Sequence, residues 1–204
     1  MKPLFITGIG TDIGKTLISA IIVEKLKADY WKPVQSGDLE NSDTHKVQGL
    51  ISNEKSVFHP EAYRLSEPYS PHKSAALDGI RIEMEHISPP ETENRLVIEG
   101  AGGLMVPLNE RELIVDLIEQ LKAEVILVVK NYLGSINHTL LSIELLKQRN
   151  IPVKGLIFNG ESNSSSEEFI LNYSKLPLLG RIPFIDSPDK EKIAALGGEI
   201  ILGS

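Results

Sequence analysis

The chain has 204 residues, 41% of them hydrophobic and 24% charged, with a formal net charge of −7. Those values suit one globular domain with one sizeable core, and the acidic balance disfavours a general nucleic-acid or membrane-surface binder, which needs a basic patch. The absence of cysteine excludes disulfides, thiolate metal sites and cysteine nucleophiles.

The first apolar run is too short for a signal peptide, and no run approaches the ~20 residues of a membrane span. A cytoplasmic protein of one domain over residues 1–204 is therefore expected. Leu4–Thr7 reads as a buried first strand ending in a glycine loop, and Thr16–Ala28 carries apolar residues at helical spacing. Residues 30–34 read as a second strand, ending at Gln35-Ser36-Gly37. Arg95–Glu99 is a third, running into a glycine loop at Gly100–Gly103, with a helical pattern at Leu113–Leu121. Glu124–Lys130 is a fourth, followed by a helix over Ile136–Arg149. The polar stretch Glu161–Glu168 between Val153–Asn159 and Leu178–Ile182 reads as a loop entering a helix. Strands alternating with helices predict an α/β fold, a doubly wound and mostly parallel sheet with helices on both faces. Ligands then sit at the carboxyl ends of the strands.

Gly8-Ile9-Gly10-Thr11-Asp12-Ile13-Gly14-Lys15-Thr16 joins the first strand to the first helix. Glycines let backbone N–H groups converge on an anion, and the helix N-terminus adds partial positive charge. A lysine here can reach the β/γ-phosphates, and the following hydroxyl can ligate Mg²⁺. The loop is thus a P-loop, one residue longer than the common form. Asp12, Ile13, Gly14, Lys15, Thr16 and Leu17 form the candidate nucleotide-binding set, which implies ATP and Mg²⁺ but no particular reaction.

Four more segments narrow the function: Lys32-Pro33-Val34-Gln35-Ser36-Gly37 with Asn41-Ser42-Asp43, Ser66–Ala76, Glu99-Gly100-Ala101-Gly102-Gly103, and Leu133–Thr139 (LGSINHT). Together with the P-loop, this set resembles the dethiobiotin synthetase family, in the family's order, from Thr7 to about Pro188. The resemblance implies a reaction. One amine of 7,8-diaminopelargonic acid takes up CO₂ as a carbamate, ATP phosphorylates the carbamate, and the second amine closes a cyclic urea. It also implies roles. Lys32 and Lys15 are catalytic, and Thr16, Asp43 and Glu99 are metal ligands. Gly100, Ala101 and Gly102 lie along the nucleotide, Asn159 contacts adenine, and Pro183, Phe184 and Ile185 line the base. Ser36 contacts substrate. Gly134, Ser135, Ile136 and Asn137 bind the substrate carboxylate from the partner subunit of a homodimer.

The residue chemistry agrees on its own terms. Two lysines can neutralise γ-phosphate and carbamate oxygens, and three oxygen ligands suit a hard cation. Blander roles stand beside these. Lys32 can be a solvated strand-end lysine, Asp43 a helix N-cap, Ser36 turn chemistry, and Gly134–Asn137 a plain strand-to-helix loop. His72 and His138 read as structural or substrate-shaping rather than metal-ligating. Some relatives carry threonine and aspartate where Ile9 and Gly10 stand, and a glutamate in place of Asp12. Pro89-Pro90 disfavours a long helix before Glu99. Two other readings compete: a related P-loop amide-forming synthase, which lacks here a glutaminase domain and a cysteine, and a ParA/MinD-like ATPase switch, which usually carries an early lysine absent from Gly8–Asp12.

Overall fold

A computed structural model describes residues 2–203. The first strand, β1 (Leu4–Gly8), is buried along its whole length and leads through the glycine loop into α1 (Lys15–Leu26). Gly14 starts that helix at φ 92°, a left-handed conformation that favours glycine. A Cβ there would lie 2.1 Å from the Asn159 side-chain nitrogen, so space as well as backbone demands glycine. The helix ends where Lys27 turns left-handed at φ 53°.

The chain then runs through β2 (Asp29–Trp31), β3 (Val34–Ser36), α2 (Asp43–Leu50), β4 (Phe58–His59), β5 (Tyr63–Leu65) and α3 (Pro71–Leu77). It continues as β6 (Leu96–Gly103), α4 (Ile114–Gln120), β7 (Glu124–Val129), α5 (Ser135–Gln148), β8 (Val153–Asn159), α6 (Ser164–Ser174), β9 (Leu178–Ile182) and α7 (Lys190–Leu196). Seven strands form one parallel sheet in the order β4-β2-β6-β1-β7-β8-β9; β3 and β5 make a separate parallel pair.

Alternation along each strand divides the core. Leu4 and Ile6 of β1, Tyr30 and Val97 face Ile18, Ile21 and Ile22 of α1, Val47 of α2 and Ile193 of α7. Phe5, Trp31, Ile98 and Leu127 face Ile118 of α4, Ile143 of α5 and Ile170 of α6. Helices therefore cover both faces, and the expected doubly wound α/β fold is present. The strand order reverses around β1, whose carboxyl end carries the glycine loop; ligands in such sheets bind at this switch point. Among the described residues, no helix is long and apolar enough to cross a membrane.

Two expected strands differ from the structure. Residues 30–34 are not one strand, because the chain leaves the main sheet at Lys32-Pro33. Proline has no N–H to give a ladder, and the Pro33 carbonyl accepts instead from Tyr63 N at 3.0 Å, which starts the β3–β5 pair. The third strand does not stop at Glu99 but runs on through Gly103, so the expected glycine loop is strand. β1 pairs Ile6 with Glu99 and then Gly8 with Gly103, so two extra residues of β6 bulge between these pairs.

Candidate active site

The carboxyl ends of β1, β2 and β6 open into a cavity of about 930 Å³, lined among others by Lys15, Thr16, Lys32, Ser36, Asp43 and Glu99. The cradle forms one wall. Lys15 Nζ donates back to the Gly10 carbonyl at 2.8 Å, so the ammonium lies over the loop it would serve. Asn159, at the end of β8, donates its side-chain N–H to the Ile13 carbonyl at 2.8 Å and so tethers the loop from behind.

Opposite the cradle stands a compact charged group. Thr16 Oγ1 donates to Glu99 Oε1 at 2.8 Å. Lys32 Nζ lies 3.2 Å from the same oxygen and 2.5 Å from Asp43 Oδ2. Tyr30 donates its hydroxyl to Glu99 Oε2 at 2.9 Å. Sheet register explains the convergence. Tyr30 pairs with Val97, so Glu99, two residues further along β6, lies on the same face as Tyr30 and Lys32. Asp43 arrives from α2, whose N-cap is Ser42, accepting from His45 N. The cap is thus the serine, which leaves the Asp43 carboxylate free to pair with Lys32.

Electrostatics follow from burial. Burial lowers the Lys15 ammonium to about 8, with Lys32 adding repulsion and Glu99 and Asp43 opposing both. Burial also works against the charge on Lys32, but Glu99 and Asp43 outweigh it and hold that ammonium above its ordinary range. Burial would raise the Asp43 carboxyl, yet Lys32 brings it below the ordinary carboxylate value. Burial, then Glu99, pushes the Tyr30 phenol well above its usual value, so it remains a hydrogen-bond donor.

Thr16, Asp43 and Glu99 could hold Mg²⁺ at the cavity wall. Among the described residues, no three His, Asp or Glu side chains cluster as a closed metal site. A hydroxyl with two carboxylates fits Mg²⁺, which keeps waters and takes phosphate oxygens for its remaining positions. Glu99 is only 1% exposed, and a carboxylate so buried needs the partners that this arrangement supplies.

Asp12, Gly14, Ala101 and Gly102 also line the cavity. Gly100 does not: a Cβ there would meet the Phe5 ring at 2.7 Å, so its small size serves packing, while its carbonyl faces Lys32 Nζ at 3.5 Å. Leu17 lies in a neighbouring cleft of about 500 Å³ with His45, Leu50 and Pro188. Pro183 and Phe184 are exposed, Ile185 is half-buried, and none of the three lines either cavity. Gly134 and Asn137 are exposed at the start of α5, with Ser135 buried and Ile136 half-buried, away from this chain's own cavity. His72 and His138 stay outside the cavity; their ring nitrogens meet the Ser70 and Tyr132 hydroxyls.

Several cavity residues escaped the sequence reading. Lys46, one helical turn after Asp43, lies 3.9 Å from its Oδ1, and that spacing could have flagged it. Tyr69 and Ser70 sit inside the singled-out segment Ser66–Ala76. Tyr30, which touches Glu99 from outside the cavity, gave no sequence signal, because its role depends on the pairing of β2 with β6.

The parallel sheet with a glycine cradle at the end of its first strand defines the class: a P-loop nucleotide-binding α/β protein. A family profile described as an AAA domain matches residues 2–192. The chain is 57% identical over 188 residues, 91% of this chain and 90% of the relative, to the ATP-dependent dethiobiotin synthetase BioD of Christiangramia forsetii. It is 50% identical over 196 residues, 96% and 95% of the two chains, to the protein of that name from Cytophaga hutchinsonii. The chain belongs to the ATP-dependent dethiobiotin synthetase family. Among solved structures, a ParA family ATPase from Chlorobium tepidum superposes with a TM-score of 0.61 at 15% identity, covering 98% of this chain and 100% of that one. That likeness is one of fold alone.

Proposed function

We propose that this chain is an ATP-dependent ligase that makes dethiobiotin from 7,8-diaminopelargonic acid and CO₂; the names of its relatives support the use of ATP and the product. One amine of the diamine adds to CO₂ and loses a proton, giving a carbamate. A carbamate oxygen attacks the γ-phosphorus of ATP, the bond to the bridging oxygen breaks, and ADP leaves. The second amine then attacks the carbonyl carbon, phosphate departs, and the cyclic urea closes.

The observation that carries this reading is the Lys32 ammonium, held between Asp43 and Glu99 in the cavity that faces the P-loop. There it can pair with carbamate and phosphoryl oxygens as charge moves between them, while Lys15 takes the phosphates from the cradle side. Thr16, Asp43 and Glu99 would hold Mg²⁺, which would supply positive charge to the phosphate oxygens. Ser36 Oγ is buried with no partner among the described residues, which suits an acceptor or donor awaiting substrate. Asn159 donates through Nδ2 to Ile13, so that among the described residues its Oδ1 is left to accept from the amino group of adenine, and Pro183, Phe184 and Ile185 would then lie beside the base.

The proposal extends to a homodimer. Leu133 is fully exposed, and Tyr132 before it and Leu141 along α5 are exposed as well. A fully exposed leucine at the loop that would bind the substrate carboxylate supports a second copy covering it. Cytoplasmic localisation belongs to the same reading.

The test is product analysis with ATP, Mg²⁺, bicarbonate and diaminopelargonic acid. Dethiobiotin should form with one phosphate released per ring closed. Phosphate release that ignores the diamine would overturn the assignment.

A further inference from the structure

We propose that Tyr30 is a positioning residue for Glu99: its hydroxyl fixes which carboxylate oxygen is turned toward Thr16 and hence toward the cation. The inference rests on the reading of Glu99 as a metal ligand.

Glu99 has two oxygens in different surroundings. Oε1 takes the Thr16 hydroxyl at 2.8 Å and faces Lys32 at 3.2 Å. Oε2 takes the Tyr30 hydroxyl at 2.9 Å. Tyr30 is fully buried and does not line the cavity, so it can reach bound ligands only through Glu99. Its ring is held by the α1-side core and by Phe58, with centroids 5.8 Å apart. The side chain is therefore a fixed donor against a carboxylate that has three rotatable torsions of its own. Without that donor, Oε2 would be a buried acceptor with no partner, and the carboxylate would turn toward Lys32. Partners of this kind orient a metal ligand from behind, and their removal commonly costs about 10–100-fold in metal affinity.

Tyr30→Phe removes one oxygen and keeps the ring, so packing is disturbed least. The measurement is Mn²⁺ binding by the full chain in the presence of ADP, followed by the paramagnetic resonance of free Mn²⁺, well below the lower melting temperature. The dissociation constant should rise about 10-fold or more, while metal-free ADP binding should change less than about twofold. In a Glu99→Gln background the added Tyr30→Phe should make no further difference, because the two residues act as one unit. An unchanged Mn²⁺ affinity in Tyr30→Phe would overturn the proposal, as would an equal extra loss in the Glu99→Gln background, since that loss would not pass through the carboxylate. Failure of the wild-type chain to bind Mn²⁺ with ADP would overturn it too. Metal binding needs no diamine, so normal coupling in a chain that made no dethiobiotin would uphold this inference and sink only the functional one.

Discussion

Thr16 and Glu99, 83 positions apart in the chain, are joined by a 2.8 Å hydrogen bond from the threonine hydroxyl to the buried carboxylate. The bond ties the first turn of α1 to the middle of β6. Everything proposed for phosphate and metal depends on that juncture, because the cradle and the acidic ligands reach the cavity on different elements.

Lys15→Ala is expected to lower turnover by about 10²–10³-fold, the usual cost of one lost charge contact in a transition state. Among the described residues the Lys15 ammonium hydrogen-bonds only the Gly10 carbonyl, so the melting temperature should change little. Near wild-type turnover at saturating ATP would remove Lys15 from the phosphate site.

Glu99→Gln and Asp43→Asn should each move the activity–Mg²⁺ curve to higher concentration. The shapes are kept, and the charge that holds a hard cation is lost. Lys32 also loses one of its two counter-charges in each variant. Curves that superpose on the wild type in both variants would show that these carboxylates only neutralise Lys32.

Leu133→Glu should shift the protein toward monomer in sedimentation velocity and lower activity together with it, because the side chain is fully exposed in the single chain. Complementation gives the sharper check. A Lys15→Ala subunit mixed with an Asn137→Ala subunit should regain activity at one of the two sites of each heterodimer. Heterodimers seen by native mass spectrometry but without recovered activity would mean that each chain builds its own carboxylate site.

Glu24 makes stability pH-dependent. Burial opposes its charge, but the Ser52 and Asn53 donors win and bring the carboxyl from 4.5 to about 2. Its two oxygens accept Ser52 N, Ser52 Oγ, Asn53 N and Asn53 Nδ2 at 2.6–3.0 Å, latching α1 to the segment after α2. A carboxyl depressed on folding stabilises above its unfolded value, and that stabilisation is lost as pH falls from about 4.5 toward 2. Glu24→Gln should therefore cost about 1 kcal/mol at pH 7, after discounting for partial exposure. The gap to wild type should close as denaturant melts are repeated down that range. A gap that holds constant with pH would mean that packing, not charge, carries the latch.

The sequence by itself determined the local parts of this protein. β1, the glycine loop and α1 are legible because burial, φ > 0 at Gly14 and helical spacing act over a few residues. The alternation of strands and helices was enough for the doubly wound class, since a parallel strand must be followed by a crossover that covers a face. Lys15, Thr16, Lys32, Asp43 and Glu99 could be named from motifs, and they do meet at one cavity. Only the tertiary structure decided how they meet. It broke residues 30–34 at Pro33, carried β6 past Glu99 to Gly103, and replaced Asp43 by Ser42 as the helix cap. It alone brought Tyr30 against Glu99. Short-range rules describe what a residue does to its own turn or strand, whereas strand register is set by burial summed over the whole sheet. Which side chains share a face across two strands is therefore settled only when the sheet has formed.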